Sequence, residues 1–342
     1  MCNIAGYVGT RPVAPILIEM MRLQEGWDGG FFTGMATIHE GKLRHAKCVG
    51  DLERLLEKTD AAALPGTIGF IHTRSLSGGG DDRWAHPFIG ANGKTAFIAN
   101  GVLGFFAEDG ENRRRWLKET TAAGYPCSTY RPQRIGNYPE TEDGGCIHGS
   151  DLCCQIITKF MDDGLDARAA LEKTFCEAPL EFVGLLLSEQ EPDCITWSRI
   201  NMPMMVAVAP HGIYMSTTSM VFPEDAGEPI MLPALSSGRV FRDHFTVAAM
   251  GAPPATVAAI TPGIWHQAYD VICRELEGGE RTIGYLRKAI NPLFAPADCY
   301  PLAMVVYNVL HQLRREGRLK IAMHRRPGVE EGLLAPQFKA YL

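Results

Sequence analysis

At 342 residues, with 46% apolar and 21% charged, the chain can build a full hydrophobic core in one large domain or two. A net charge of -6 argues against nucleic acid or an acidic surface as the main partner, although residues 251–342 hold eleven Lys/Arg against eight Asp/Glu, a surplus of +3 that leaves -9 on the rest. No run is apolar and long enough to span a membrane, no secretory leader opens the chain, and ten cysteines in that setting read as reduced thiols of a cytoplasmic protein.

Cys2 to Gly9 reads as a short buried strand ended by glycine. Val13 to Leu23 carries apolar residues at helical spacing. Gly34 to His39 and Lys42 to Cys48 form a hairpin across Glu40-Gly41, and Asp51 to Lys58 is a short helix. Strands follow at Thr67 to Thr73 and Thr95 to Ala99, the second ending at Asn100-Gly101. The polar stretch Glu108 to Gly145 holds one helix near Asn112 to Ala122. Ser150 is the expected N-cap of a helix over Asp151 to Met161, and Ala167 to Phe175 is another. Phe182 to Leu187, Cys194 to Ser198, Met204 to Val208 and Gly212 to Ser216 read as strands. Many short strands with a few flanking helices predict an α+β layered fold. A composition shift near Gly251-Ala252-Pro253-Pro254 marks a boundary between 2–250 and 251–342. Beyond it, helices are predicted over Thr256 to Leu276, Arg281 to Ile290 and Leu302 to Glu316, then a strand over Leu319 to Met323.

The chemistry-bearing feature is Cys2. Once Met1 is removed, its thiol and a free α-amine sit on one residue. An α-amine titrates at about 7.7–8.0, so it can take the thiol proton and later protonate a leaving amine. Nucleophile and base then come as a unit. For Met-Cys alone, a small buried thiol is the plainer reading. Cys146, His148, Cys153 and Cys154 cluster, but their spacing matches no zinc site, and neither metal nor cofactor is expected.

Four further segments change the odds: Cys2-Asn3-Ile4-Ala5-Gly6, Gly69-Phe70-Ile71-His72-Thr73-Arg74, Ala85-His86-Pro87-Phe88 with Ala99-Asn100-Gly101, and Gly149-Ser150-Asp151 opening a helix. In this order they resemble the class II glutamine amidotransferases of the N-terminal-nucleophile hydrolase superfamily, most nearly the glutaminase half of glucosamine-6-phosphate synthase. The resemblance covers about residues 2 to 250. It implies a four-layer αββα sandwich with a small, mainly helical C-terminal appendage. It implies a Cys2 thiolate that attacks the glutamine side-chain amide, releasing ammonia and then glutamate through a γ-glutamyl thioester.

Carried over residue by residue, Arg74 would pair with the substrate α-carboxylate, for which a planar guanidinium is suited. Asp151 would pair with the α-ammonium from the start of a helix, where the dipole favours a carboxylate. Asn100 through its side-chain amide and Gly101 through its backbone N–H would form the oxyanion hole. His86 would close one wall of the pocket, and the loop with Ser75 and Ser77 would contact substrate through backbone groups. Each has a plainer reading alone: a surface ion pair for Arg74, a helix-start charge for Asp151, a hairpin turn for Asn100-Gly101, a structural hydrogen bond for His86.

The chain departs from the family at two loops. Glu25-Gly26-Trp27-Asp28-Gly29 stands where the family often carries an arginine beside the nucleophile, and Ser75-Leu76-Ser77-Gly78-Gly79 replaces the synthase's closing loop. The segment between Gly101 and Asp151 is also longer. No acceptor domain is visible, so an ammonia-accepting synthase subunit is the expected partner, together with self-association into a homo-oligomer. Two rivals stay open: an amidohydrolase acting on another γ-glutamyl amide, and a non-catalytic ligand-binding protein with a nucleic-acid-binding tail. For the tail, His311, Arg314, Arg315, Arg318, Lys320, Arg325 and Arg326 suggest a winged-helix contact, and a solvated helix end is the favoured alternative.

Overall fold

The computed structural model describes residues 2–76, 80–101, 110–136, 138–294 and 301–342. The first half contains β1 (Asn3–Gly9), α1 (Val13–Arg22), β2 (Phe32–His39), β3 (Lys42–Val49), α2 (Leu52–Lys58), β4 (Ile68–Arg74), β5 (Phe88–Ile89), β6 (Thr95–Asn100) and α3 (Gly110–Ala122). Then come α4 (Gly149–Asp162), α5 (Ala167–Glu177), β7 (Val183–Ser188), β8 (Glu191–Arg199), β9 (Met205–Ala209), β10 (Gly212–Ser216), β11 (Ile230–Met231), β12 (Ser236–Val240) and β13 (Ala248–Ala249). The last stretch holds α6 (Pro262–Glu277), α7 (Ile283–Ile290), α8 (Leu302–Arg315), β14 (Lys320–Pro327) and β15 (Leu334–Tyr341).

Two antiparallel sheets stack face to face. One runs in the order β11-β9-β10-β1-β4-β2-β3, the other β13-β12-β8-β7-β6-β5. Helices α1 and α2 cover the first sheet, and α3, α4 and α5 lie on the side of the second. The result is the α+β four-layer sandwich that the resemblance implied. Strand periodicity divides β1 between two cores. Ile4 and Val8 enter the core between the sheets, while Ala5 and Tyr7 pack toward α1. The β2–β3 hairpin turns where expected. Glu40 (φ 51°) and Gly41 (φ 71°) both adopt the left-handed conformation that a tight two-residue turn requires.

Two local expectations are corrected. The helix opening at Gly149 is capped by His148, whose ring accepts from Ser150 N–H, so Ser150 lies in the first turn instead of at the N-cap. The strand read over Leu319 to Met323 is one arm of a longer hairpin, β14–β15, in full register from Lys320–Tyr341 to Pro327–Leu334. Its second arm, which contains Pro336, carries no clean apolar alternation at its start. β12 was likewise not expected: Ser236 and Ser237 are buried polar residues and give no apolar signal.

Residues 262–342 have their own apolar cluster, including Ile272, Leu286, Val309 and Leu313, and that cluster extends into the sandwich through Trp27 and Met220. Trp27 meets Phe338 of β15 edge to face, with ring centroids 5.5 Å apart. Gly26 sits against the same ring, with no space for a side chain.

Candidate functional site

Cys2 immediately precedes β1, which is paired on one side with β4 and on the other with β10. The register Asn3–Thr73 brings the end of β4 beside the start of β1. Ser75, one residue past β4, directs its backbone N–H at the Cys2 sulfur at 3.4 Å, and its Oγ lies 3.7 Å away. From the other sheet, the buried Asn100 at the end of β6 donates through Nδ2 to the Cys2 carbonyl at 2.8 Å. The ends of both sheets therefore meet at Cys2, and a β-sandwich is what makes three residues so distant in sequence neighbours.

Arg74, the last residue of β4, is 1% exposed. Its Nη1 donates to the Trp84 carbonyl at 2.6 Å, and its guanidinium carbon sits 4.0 Å from the centroid of the Phe32 ring. Burial lowers its pKa, and the Cys2 sulfur is close enough to act on it electrostatically. Behind it lie three buried histidines. His72 and His86 pack at a 37° tilt with ring centroids 3.8 Å apart, and His148 meets His86 at 5.4 Å. Burial holds His72 down to about 3 and His86 and His148 well below the ordinary value, so all three are neutral in the fold. His86, expected to close a wall of the pocket, is placed deep in the fold. It is 1% exposed and packs among His72, Phe88 and His148.

Asp151, in the first turn of α4, is fully buried. One oxygen, Oδ2, accepts from Ser128 N–H and Oγ and from Thr129 N–H and Oγ1, at 2.7 to 3.1 Å. The other accepts from Gln155 Nε2 at 3.0 Å. The carboxylate that was expected to receive a substrate ammonium is satisfied by the chain itself. Ser128 and Thr129 lie in the segment between Gly101 and Asp151, and Gln155 follows one turn later in α4. Its neighbour Ser150 turns instead to Glu181, donating to Oε1 at 2.5 Å. Glu181 Oε2 lies against Gly101: a Cβ built on that glycine would stand 2.1 Å from it.

Sequence reasoning did not single out Glu181, which directly precedes an apolar strand. It also missed the contribution of the last ninety residues. Tyr307 of α8 accepts a hydrogen bond from Asn3 Nδ2 at 3.3 Å, one residue beyond the nucleophile. Arg326 of β14 donates to the Gly29 carbonyl at 3.0 Å and stacks over Phe31 at 4.5 Å, in the loop that lacks the family's arginine. Ser77, expected to touch substrate, lies outside the described residues. Among the described residues no group of three or more His, Cys, Asp or Glu is placed to hold a metal ion.

No family model matches the chain. It is similar to glutamine–fructose-6-phosphate aminotransferases (isomerizing): that of Pyrococcus horikoshii at 25% identity over 72% of this chain and 37% of the relative, and that of Rhizobium meliloti at 30% over 60% and 30%. The Clostridium tetani enzyme is 35% identical over 61% of this chain and 30% of its own. The chain thus spans about a third of the length of the curated relatives it matches. In fold it resembles a glutamine phosphoribosylpyrophosphate amidotransferase from B. subtilis, with a TM-score of 0.57 at 11% identity, over 82% of this chain and 60% of that one.

Proposed function

We propose, from the premise that this chain is a relative of the class II glutamine amidotransferases and shares their N-terminal-nucleophile fold, that it cleaves a γ-glutamyl amide with Cys2. The observation that carries the proposal is the convergence on Cys2 of a backbone donor from Ser75 and a side-chain amide from Asn100. With Met1 removed, the Cys2 α-amine takes the thiol proton. The thiolate attacks the carboxamide carbon, and the tetrahedral oxyanion forms beside Asn100 and Gly101. The C–N bond breaks, and ammonia leaves with the proton held by the α-ammonium. Water then hydrolyses the thioester to glutamate and restores the thiol. Arg74, buried at the end of β4, is the residue proposed for the substrate α-carboxylate.

Glutamine is the first candidate substrate, and a synthase subunit that accepts the ammonia is the proposed partner. A cytoplasmic, homo-oligomeric protein fits this reading. Saturation of Asp151 favours a second candidate, another γ-glutamyl amide, because it removes one of the two charges expected to select free glutamine. The nucleic-acid reading is the weakest. Arg325 pairs with Asp51 at 2.8 Å, Arg315 with Glu228 at 3.4 Å, Arg318 with Glu316 at 3.2 Å, and Arg314 with the Met220 carbonyl. The helix-helix-helix-hairpin order of 251–342 is winged-helix-like, but we propose that α8 serves as an internal wall at the nucleophile.

Incubation with a panel of γ-glutamyl amides, reading glutamate and amine release, tests the activity. Equimolar release from the wild type and none from Cys2→Ala is expected. No release from any amide, with Met1 shown to be absent, contradicts the proposal.

A further inference from the structure

The β14–β15 hairpin is anchored through β15. Phe338 packs on Trp27, and Arg281 exchanges two backbone hydrogen bonds with Ala340, each at 2.8 Å. The hairpin is a two-stranded sheet, and among the described residues no backbone hydrogen bond reaches β14 from its outer side. The register shows which groups are left open. Along an antiparallel strand, N–H and C=O turn together to alternate sides. Ala340 turns both to Arg281, so Ile321, opposite it, turns both outward, and Met323 and Arg325 follow at period two. Pro336, opposite Arg325, has no N–H to give inward, in keeping with this alternation. The same stretch holds apolar side chains in the open: Ile321 is 41% exposed and Met323 76%. An unpaired edge with an apolar middle is a template for another strand.

We propose that this edge pairs with the same edge of a second copy, so that β15-β14-β14-β15 forms one four-stranded antiparallel sheet about a two-fold axis at Ala322. The strand is complementary to itself in that register. With Ala322 facing its own copy on the axis, Ile321 lies opposite Met323 of the second copy, and Met323 opposite its Ile321. These are residues that turn N–H and C=O outward, so each pair exchanges two hydrogen bonds while the exposed apolar side chains cover each other. Lys320 comes opposite His324, which Glu280 already holds at 2.7 Å. A register with Met323 on the axis would set Lys320 against Arg326, which like charge disfavours, and Ile321 against Arg325, which loses the apolar contact. The other cations of the strand have carboxylates in their own chain: Arg325 pairs with Asp51 at 2.8 Å, and Arg326 faces Asp28 at 3.9 Å. A patch that matches itself is what a two-fold dimer needs. One strand pair is a small interface, so the association should depend on concentration. The pairing is independent of the chemistry at Cys2.

Sedimentation equilibrium of the full chain over a range of concentrations tests the proposal. The wild type should move from the mass of one chain toward twice that mass. Met323→Asp sets a carboxylate opposite Ile321 of the second copy and should weaken association at least about tenfold. Its far-ultraviolet circular dichroism at low concentration should match the wild type, because Met323 is exposed. Disulfide trapping reads the register separately. Ala322→Cys should link two chains on mild oxidation, since its thiol meets its own copy at the axis. His324→Cys, placed opposite Lys320, should stay unlinked like the wild type. A wild type that remains a single chain at every concentration overturns the proposal. So does a dimer that a folded Met323→Asp leaves intact, or one that traps as readily through His324→Cys as through Ala322→Cys.

Discussion

Tyr307 reaches from α8 to Asn3, its phenol oxygen accepting from Nδ2 at 3.3 Å, so the C-terminal helices hold the strand that presents Cys2. Both groups are fully buried or nearly so, and Asn3 Oδ1 already has no partner among the described residues. Tyr307→Phe removes the acceptor of a buried amide and should destabilise the protein by about 1–3 kcal/mol. Thermal melts measure this. A loss of Cys2 labelling larger than the loss of stability would show that the contact also positions the nucleophile.

Ser75 and Asn100 offer a contrast between backbone and side-chain contributions. Ser75→Ala keeps the N–H that points at the sulfur and should change turnover by less than about threefold. Asn100→Ala removes the amide that donates to the Cys2 carbonyl and that is proposed to stabilise the oxyanion, and should lower kcat by about 100-fold, with a smaller change in KM. Steady-state kinetics on the preferred amide separates the two. Equal effects would mean that Asn100 is only a strand-end contact.

Gly101 and Glu181 are coupled by proximity. Gly101→Ala places a methyl group against Glu181 Oε2 and near the Leu180 carbonyl, 3.2 Å from the built Cβ. Overpacking of this kind should cost about 1–3 kcal/mol. In a Glu181→Ala background most of that cost should vanish, because the shared space is freed. A denaturation double-mutant cycle reads the coupling, and strict additivity would contradict the packing described.

Stability should fall on both sides of neutrality, for opposite reasons. His72, His86 and His148 have folded pKa values depressed from 6.5, His72 to about 3. The unfolded chain takes up protons that the fold refuses, so their contribution is present above 6.5 and lost as the pH falls toward 3. Glu25, buried and accepting from Leu52 N–H, is raised from 4.5 to about 8 by burial, as is Glu181. Their contribution is complete below 4.5 and lost as the pH rises through 8. Melting temperatures across the range should show Glu25→Gln above the wild type on the alkaline side and no better on the acid side.

Much of this fold is legible in sequence because its signals are local. The β1 alternation, the Glu40-Gly41 turn and the apolar face of α4 each announce themselves within ten residues. Cys2, Arg74, Asn100 and Gly101 were singled out by the resemblance to a family, and each stands at or beside a strand end. What was not legible depends on contacts across long separations. Nothing near Asp151 signals that Ser128 and Thr129 will saturate it. Nothing near Glu181 signals that it will turn inward to Ser150. Nothing near His86 signals that His72 and His148 will enclose it, each more than a dozen residues away. The basic run at Arg325-Arg326 looked free, yet Asp51 and Gly29 engage it.

The central claim is that Cys2 is an N-terminal nucleophile for a γ-glutamyl group, and intact mass spectrometry after reaction with 6-diazo-5-oxo-L-norleucine tests it most directly. The account predicts a chain lacking Met1 that gains a single adduct, mapped to Cys2 and absent in Cys2→Ala. A chain that retains Met1 and gains no adduct, or an adduct that persists in Cys2→Ala, would contradict it.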